Sequence, residues 1–281
     1  MRNPAANDLP QQQVNAYFQS SSEYWKSIYE TRTLLPIIYQ TRHAAVVDWI
    51  VDLRLPTSSR ILEIGCGAGV LTAQLVRFGY SVEAVDAAPT MVELTLQNAV
   101  HNGLADRVQV SLGDVHDLPF QKDRFDLVVA VGVIPWLHHE DLAMLEMKRV
   151  LKPGGYLIVT ADNDWRLNRI LDPLSSPVSR PARAIIKFIL SRAGLRTEPR
   201  EFQAKRHTPR EINHLLEVSG FRKVNSRCVG FGPFTIFRCH IFPEKLGTAV
   251  HIRLQSLADN GIPPFHMTGL HYLALAKKRL F

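Results

Sequence analysis

An acid and three glycines stand together in RILEIGCGAGV (Arg60–Val70), where an apolar run meets a helical stretch. Glu63 lies near the end of the run, and the glycines follow at alternate positions: Gly65, Gly67 and Gly69. In sheets of parallel strands, ligands bind at the carboxyl ends of the strands, beside turns of this kind. The stretch therefore predicts a nucleotide site, with Cys66 as a small side chain inside the turn.

The glycine spacing excludes two common phosphate sites. A dinucleotide fingerprint needs a further glycine at the sixth position of the turn, where Val70 stands, and a phosphate-binding P-loop needs a lysine that is absent. An acid beside the glycines repels phosphate but suits a cation. S-adenosylmethionine fits this environment, because it carries a sulfonium and an ammonium group and no phosphate.

Two further acids end the next two predicted strands. Asp86 ends the apolar run SVEAVD, where a carboxylate can accept both hydroxyl groups of a ribose. Asp114 follows Gly113 after the third run, where a side chain can reach the amino group of an adenine. This ordered set on three successive strands predicts an S-adenosylmethionine site more specifically than the glycine turn alone.

The elements that must position these residues alternate regularly. Five short apolar runs are predicted strands: RILEI, SVEAVD, RVQVSLGD, FDLVVAVG and YLIVTA. Helical stretches follow the first, second and fourth of these strands, and one is delimited by Pro89 near its first turn and Gly103 after its end. Strands that are apolar on both faces, alternating with helices, indicate a parallel sheet covered on both sides. The fold class is therefore α/β.

We expect four parts along the chain. Thr208, three residues before Glu211, predicts a capped helix that returns to the core after an insertion. FRKVNSRCVGF and HYLALAKK are predicted as the last two strands. The parts are an N-terminal tail and helical lid (1–40, with 1–13 disordered), a cofactor-binding core (41–161), a basic helical insertion acting as a substrate cap (162–207), and the rest of the core (208–281) with an insertion at about 231–267.

The net charge of +7 is localised. Nine basic and two acidic residues lie between Arg180 and Arg210, so this segment accounts for the whole excess. Within it, residues 182–193 predict a helix with an apolar face beside basic residues, which suits an anionic membrane surface. A solvated helical cap explains the same pattern and stays an alternative.

We find no secretory signal pattern and no membrane-spanning run, and the three cysteines lack metal spacing. We therefore expect a cytoplasmic protein, peripheral to the membrane if this helix docks.

At this point the sequence resembles the class I S-adenosylmethionine-dependent methyltransferases. Four stretches carry the resemblance: LEIGCGAG, VEAVDAAPTMVE, LGDVHDLPF and RVLKPGGYLIV. It covers roughly residues 40–161, and more loosely 208–229 and 268–278. Within the class the chain looks like the small-molecule branch that includes the ubiquinone and menaquinone methyltransferases. YFQSSSEYWKSIYE also resembles the start of the magnesium-protoporphyrin O-methyltransferases.

The resemblance implies a Rossmann-like sheet of seven mostly parallel strands, whose last strand is antiparallel, and an aromatic N-terminal segment over the cofactor. Carried over position by position, the methionine part meets Glu63 and the glycines, the ribose meets Asp86, and Val131 faces the reacting end. The adenine meets Ala87, Asp114 and Val115. The remaining cofactor-binding positions are Cys66, Met91 and Gly113, and the lid and substrate positions are Tyr17, Trp25, Tyr29 and Trp136.

A catalytic base is needed only if the methyl acceptor must lose a proton. Related enzymes often carry a histidine where this chain has Trp136, and His138 and His139 follow it, so either is a candidate base. The alternative for each of these histidines is a structural role in a loop or at a helix cap. The fourth strand ends in Val131-Gly132 without an acid, so we expect no metal.

The predicted function is methyl transfer to a small acceptor. Aromatic residues are frequent in the two insertions, which suits a lipophilic, aromatic or lipid-linked acceptor. Two alternatives stay open: an RNA methyltransferase that uses the basic insertion, and a non-catalytic partner subunit that binds the cofactor. No recognised RNA-binding module is present, so nucleic acid is not the expected partner.

Overall fold

The computed structural model describes residues 8–28, 31–179, 204–237 and 239–280, with four isolated positions between 181 and 192. Its strands are β1 (Arg60–Ile64), β2 (Ser81–Asp86), β3 (Val108–Leu112), β4 (Phe125–Ala130), β5 (Leu151–Asp162), β6 (Phe221–Val229), β7 (Thr235–Ile236), β8 (Cys239–His240) and β9 (His271–Lys278). One sheet has seven strands in the order β3-β2-β1-β4-β5-β9-β6, and β7 pairs with β8 in a short hairpin.

Strands β1 to β5 pair in parallel, whereas β9 runs antiparallel to both of its neighbours. The pairing of β9 with β5 places Asp162 opposite His271 at the end of the sheet where the parallel strands finish. The predicted α/β fold, mostly parallel with an antiparallel last strand, is confirmed.

The helices are α1 (Asp8–Ser20), α2 (Ser22–Ser27), α3 (Leu34–Asp52), α4 (Val70–Arg77), α5 (Pro89–His101), α6 (Glu140–Val150), α7 (Leu167–Leu171), α8 (Pro209–Val218) and α9 (Glu244–Asp259). Successive residues of a strand point to opposite faces of the sheet, and a separate hydrophobic core lies on each face. Ile61 packs with α3 and α4, and Leu62 packs with α6 and α8. Helices therefore cover both faces, which is why the strands are apolar throughout. Within the described ranges, no helix is long and apolar enough to cross a bilayer.

The N-terminal region differs from expectation. Residues 8–13 were expected to be disordered because they are polar, but α1 begins at Asp8. Pro10 lies in the first turn, where its missing N–H has no helical partner to lose, and the three glutamines after it are good helix formers. Further along α1, Val14 is buried and the helix is held against the body of the protein.

The end of the 162–207 insertion returns to the carboxyl end of β5. The backbone N–H of His207 donates to the carbonyl of Asp162 at 2.9 Å, and that of Asp164 donates to the carbonyl of His207 at 3.0 Å. The backbone N–H of Lys205 donates to the carbonyl of Pro135 at 2.7 Å. These bonds place residues 204–207 at the same edge of the sheet as the glycine turn. The predicted helix over 182–193 lies almost entirely outside the described residues.

Candidate active site

A cavity of about 360 Å³ opens at the carboxyl ends of the parallel strands. One side is formed by the glycine turn after β1 and the ends of β2, β3 and β4. The other side is formed by α1, α2, α3, Asp162 and Ala204. The topology thus gathers residues from both ends of the sequence around one space.

The glycine turn requires glycine for two different reasons. Gly65 has φ +69°, and a Cβ there would lie 2.5 Å from a methyl carbon of Val133. Gly67 has φ +56°, and its N–H donates to Oδ2 of Asp86 at 3.0 Å. A left-handed backbone costs other residues energy, so both positions favour glycine. The hydrogen bond from Gly67 to Asp86 therefore holds the turn against the end of β2.

Glu63 is buried beneath this turn, with 4% of its surface exposed. The hydroxyl of Thr72 donates to its Oε2 at 2.5 Å. Burial raises the pKa of Glu63 to about 8; the Thr72 hydrogen bond opposes this rise and the nearby Asp86 adds to it. Among the described residues, no cation is paired with this carboxyl group. It is therefore suited to receive a positive charge from a ligand.

The two acids at the ends of β2 and β3 are held by backbone and histidine donors. Asp86 accepts the N–H of Ala88 at 2.9 Å in addition to that of Gly67, and burial raises its pKa. Asp114 accepts the backbone N–H of His116 at 2.9 Å, and its Oδ1 lies 2.6 Å from Nδ1 of the same histidine. Burial alone raises the pKa of Asp114, but these bonds to His116 lower it overall. These hydrogen bonds fix the orientation of both carboxylates at the cavity wall.

Aromatic rings from α1 and α2 cover the cavity. Tyr17 stacks on Trp136 with ring centres 5.0 Å apart, and Phe18 meets the same indole edge-on at 5.1 Å. Trp25 contacts Phe18 at 5.9 Å and Tyr39 at 5.5 Å. Such a cover excludes water from the space beneath it.

Polar groups gather on the side of the cavity away from β2 and β3. Nδ1 of His271 lies 3.3 Å from Oδ1 of Asp162, and the His271 ring lies 5.3 Å from that of Tyr39. Burial by itself raises the pKa of Asp162, but His271, Arg166 and Arg42 lower it overall, so Asp162 is ionised. Burial raises the pKa of Tyr39 to about 12, which keeps its hydroxyl protonated.

Arg42 is a buried cation on the cavity wall. Only 6% of its surface is exposed, its guanidinium lies 4.8 Å from the centre of the Tyr39 ring, and its Nε has no hydrogen-bond partner. No described carboxylate forms an ion pair with it. A buried charge that is not fully hydrogen-bonded is costly, so Arg42, which also lowers the pKa of Asp162, indicates a place for an anionic group of a ligand.

The structure brings together most of the residues that the sequence indicated. The cavity is lined by Tyr17, Trp25, Glu63, Gly65, Cys66, Gly67, Asp86, Ala87, Met91, Gly113, Asp114, Val115, Val131 and Trp136. Gly69 is not part of the lining: it is the N-cap residue directly before α4, and a Cβ there would meet Thr95 at 2.9 Å. Tyr29 lies outside the described residues.

The two histidines proposed as bases lie apart from the cavity lining. The ring of His138 packs 3.9 Å from that of His116, and His139 is the residue before α6. Their catalytic role stays a prediction. Sequence reasoning did not find Arg42 or Tyr39. The signal was present, because Ile38, Arg42 and Trp49 recur at helical spacing on the buried face of α3.

Residues 62–159 match a family model described as "Methyltransferase domain". The acids at the ends of β1 to β3 lie within this match. Residues 62–159 of the chain therefore form a methyltransferase domain.

Curated relatives share the same core. The chain is 33% identical over 146 residues to the sterol 4-C-methyltransferase of Caenorhabditis elegans, covering 52% of this chain and 42% of that protein. It is 32% identical over 104 residues to the ubiquinone biosynthesis O-methyltransferase of Chelativorans sp. (strain BNC1), covering 37% and 40%. The chain thus spans about two fifths of the length of these relatives.

The fold is also found in solved structures. The magnesium protoporphyrin IX methyltransferase of Synechocystis PCC 6803, with bound SAH, superposes with a TM-score of 0.63 at 17% identity. That match covers 96% of this chain and 99% of the other. At this identity the likeness shows the fold alone, including the helical elements outside the sheet.

Proposed function

We propose that this protein transfers a methyl group from S-adenosylmethionine to a small, lipophilic acceptor. The observation that carries the proposal is one cavity, which has the acids of β1, β2 and β3 at one end and the aromatic rings of α1 and α2, with Asp162 and Arg42, at the other. A methyltransferase needs this arrangement, since cofactor and acceptor must meet in line at one carbon.

The residues present fit the cofactor. Glu63 suits its positive charges, Arg42 suits its carboxylate, and Asp86 suits the ribose hydroxyls. Asp114 and Val115 lie where the adenine edge would reach. A Cβ built on Gly67 meets no atom within 4 Å, which indicates open space beside the turn. When bound, S-adenosylmethionine supplies an activated methyl group, and the chain supplies alignment and a dry site.

Asp162 is the residue we assign to the acceptor's proton. It is the one carboxylate in the described cavity lining that is not among the acids of β1, β2 and β3. Nδ1 of the buried His271 lies 3.3 Å from its Oδ1. An acceptor hydroxyl or amine beside Asp162 would pass its proton there as the new bond to carbon forms.

An apolar acceptor is supported by the lining and by the relatives. Rings of Tyr17, Phe18, Trp25 and Trp136 meet over the acceptor side. The curated relatives include proteins named for sterol and ubiquinone methylation. We therefore place the acceptor among ring-containing or isoprenoid-like molecules.

Turnover with a lipid extract tests the function. The full chain should convert S-adenosylmethionine to S-adenosylhomocysteine only when extract is added. Asp162→Asn should lose this turnover and keep cofactor affinity. Cofactor binding without turnover would instead support a non-catalytic partner subunit. Loss of turnover in His138→Gln or His139→Gln, but not in Asp162→Asn, would favour the histidines as bases.

A membrane surface is the partner we propose for delivery of such an acceptor. Apolar side chains are exposed after α7 and on the β7–β8 hairpin: Leu171, Leu174, Val178, Ile236, Phe237 and Ile241. The hydroxyl of Thr235 donates to Oδ2 of Asp172 at 2.8 Å, which ties these two segments together. The basic stretch from Arg180 onward adjoins them in sequence, so an anionic lipid surface matches both features.

Sedimentation with vesicles tests this docking. The full chain should pellet with anionic vesicles at low salt, and Phe237→Ser should reduce the bound fraction. Val100→Ser is the matched control, because Val100 is 67% exposed on α5, away from this surface. Charge reversal at Arg183 and Lys187 should also weaken binding. Equal pelleting of the Phe237 variant and the control would refute the assignment.

A further inference from the structure

The loop that follows β4 is held by a side chain of β5. The backbone N–H of Gly132 donates to the hydroxyl oxygen of Thr160 at 2.7 Å, and Thr160 is buried, with 1% of its surface exposed. Gly132 has φ +76°, in the left-handed region that favours glycine. The hydrogen bond therefore fixes the peptide that joins Val131 to Gly132, and both of these residues line the cavity.

The direction of the Val131 carbonyl follows from the planarity of this peptide. The peptide is trans, so the carbonyl of Val131 and the N–H of Gly132 point in opposite directions. Since the N–H points to β5, the carbonyl points to the other neighbour of β4, which is β1. The glycine turn after β1 is close to this loop, because a Cβ on Gly65 would lie 2.5 Å from a methyl carbon of Val133. The carbonyl of Val131 is thus directed between the two loops that line the cavity.

An acceptor and a cation lie together at this loop. Within the described ranges, no hydrogen bond to the Val131 carbonyl is present. A Cβ built on Gly132 would lie 3.3 Å from Nη1 of Arg42 and 3.5 Å from Nη2, so the guanidinium packs against the same peptide. A carbonyl only accepts hydrogen bonds and a guanidinium only donates them. The pair therefore matches a ligand that carries an ammonium group next to a carboxylate.

We propose that Thr160 is a positioning residue for the amino-acid end of the cofactor. Its hydroxyl holds the Val131 carbonyl toward the ammonium group, while Arg42 takes the carboxylate. Thr160 touches neither group and acts only through the peptide that it fixes. The inference rests on the proposed function, because S-adenosylmethionine is the ligand assigned there.

Two ligands that differ only in the ammonium group isolate this contact: S-adenosylhomocysteine and its deamino analogue, in which hydrogen replaces the α-amino group. Calorimetry on the full wild-type chain at pH 7 should give at least about tenfold tighter binding of S-adenosylhomocysteine. Thr160→Val keeps the shape of the side chain but leaves the Gly132 N–H without its acceptor. This variant should bind S-adenosylhomocysteine about tenfold more weakly and the deamino analogue within about twofold of the wild type.

Further variants assign the effect to the hydroxyl group. Thr160→Ser retains the hydroxyl and should restore most of the preference for the ammonium group. Thr57→Val makes the same change at an exposed position outside the cavity and should leave both affinities unchanged. Thr160→Cys, whose sulfur is a weak acceptor, takes the place of the valine variant if that variant does not fold, and should also lose preference.

The proposed function and the role of Thr160 fail separately. If the folded wild type binds neither ligand, the proposed function is wrong. If it binds the deamino analogue as tightly as S-adenosylhomocysteine, the Val131 carbonyl does not meet the ammonium group and the inference is wrong. Equal losses for both ligands in Thr160→Val would show a purely structural role, and an unchanged preference would show that Thr160 does not orient the carbonyl. Either result overturns the inference.

Discussion

Replacing Glu63 with glutamine should stabilise the cofactor-free protein and weaken its hold on S-adenosylmethionine. Glu63 is buried beneath the glycine turn, no cation among the described residues pairs with it, and its pKa is raised from 4.5 to about 8. In the unfolded chain the carboxyl group ionises near 4.5, so unfolding releases a proton between these two values. The free energy of unfolding therefore falls as pH rises from about 4.5 to 8.

The size of the effect follows from the shift. A difference of 3.5 pKa units at about 1.4 kcal/mol per unit gives roughly 5 kcal/mol when the titration is complete. By the same relation, roughly 3 kcal/mol is already lost at pH 7, and about 1 kcal/mol more is lost between pH 7 and 9. Glutamine has the same shape, retains an oxygen for the Thr72 hydroxyl, and does not titrate.

Urea unfolding of the wild type and Glu63→Gln at pH 5, 7 and 9 measures this difference. The stability gained by the variant should grow with pH. Glu93→Gln, at an exposed position on α5, is the control and should follow the wild type. At pH 7, Glu63→Gln should bind S-adenosylmethionine more weakly and adenosine equally well. A pH-independent difference in stability would refute the reasoning that Glu63 is desolvated and unpaired.

The remaining predictions concern the other walls of the cavity. Asp86→Ala should weaken S-adenosylhomocysteine binding by about 1–3 kcal/mol, because a buried acceptor is lost; unchanged affinity in calorimetry would place the ribose elsewhere. Arg42→Gln should weaken S-adenosylhomocysteine roughly 10- to 150-fold and leave methylthioadenosine, which lacks the amino-acid part, unaffected; equal losses for both ligands would contradict a carboxylate partner. Deleting residues 1–30 should leave a folded core by circular dichroism and abolish methyl transfer, and full activity would exclude a lid. Tyr17→Ala and Trp136→Ala should each reduce transfer, and the double variant should lose no more than the worse single one; additive losses would mean that the two rings act separately.

Much of the fold was predictable because local signals agreed with the global pattern. Pro89 begins α5, and Gly103 follows its end with φ +65°. The capping box of α8 is present as predicted: the N–H of Glu211 donates to Thr208 at 3.2 Å, and the N–H of Thr208 donates to the Glu211 carboxylate at 2.6 Å. Each of these signals depends only on residues close in sequence.

The acceptor side was less predictable, because it depends on contacts distant in sequence. Asp162 and His271 meet only through the antiparallel pairing of β9 with β5, and His207 reaches Asp162 only through the returning insertion. The sequence indicated the acids of β1 to β3 because each lies at or just after the end of a strand. It did not indicate that α3 would bring Arg42 and Tyr39 to the same space.

The most direct measurement of the central claim is calorimetric titration of the full chain with S-adenosylhomocysteine and, in parallel, with NAD. The site described here predicts micromolar affinity for S-adenosylhomocysteine and little binding of NAD, because Glu63 lies under the turn and the dinucleotide glycine is replaced by Val70. Preferential binding of NAD, or no binding of S-adenosylhomocysteine by the folded protein, would contradict the assignment of this cavity to methyl transfer.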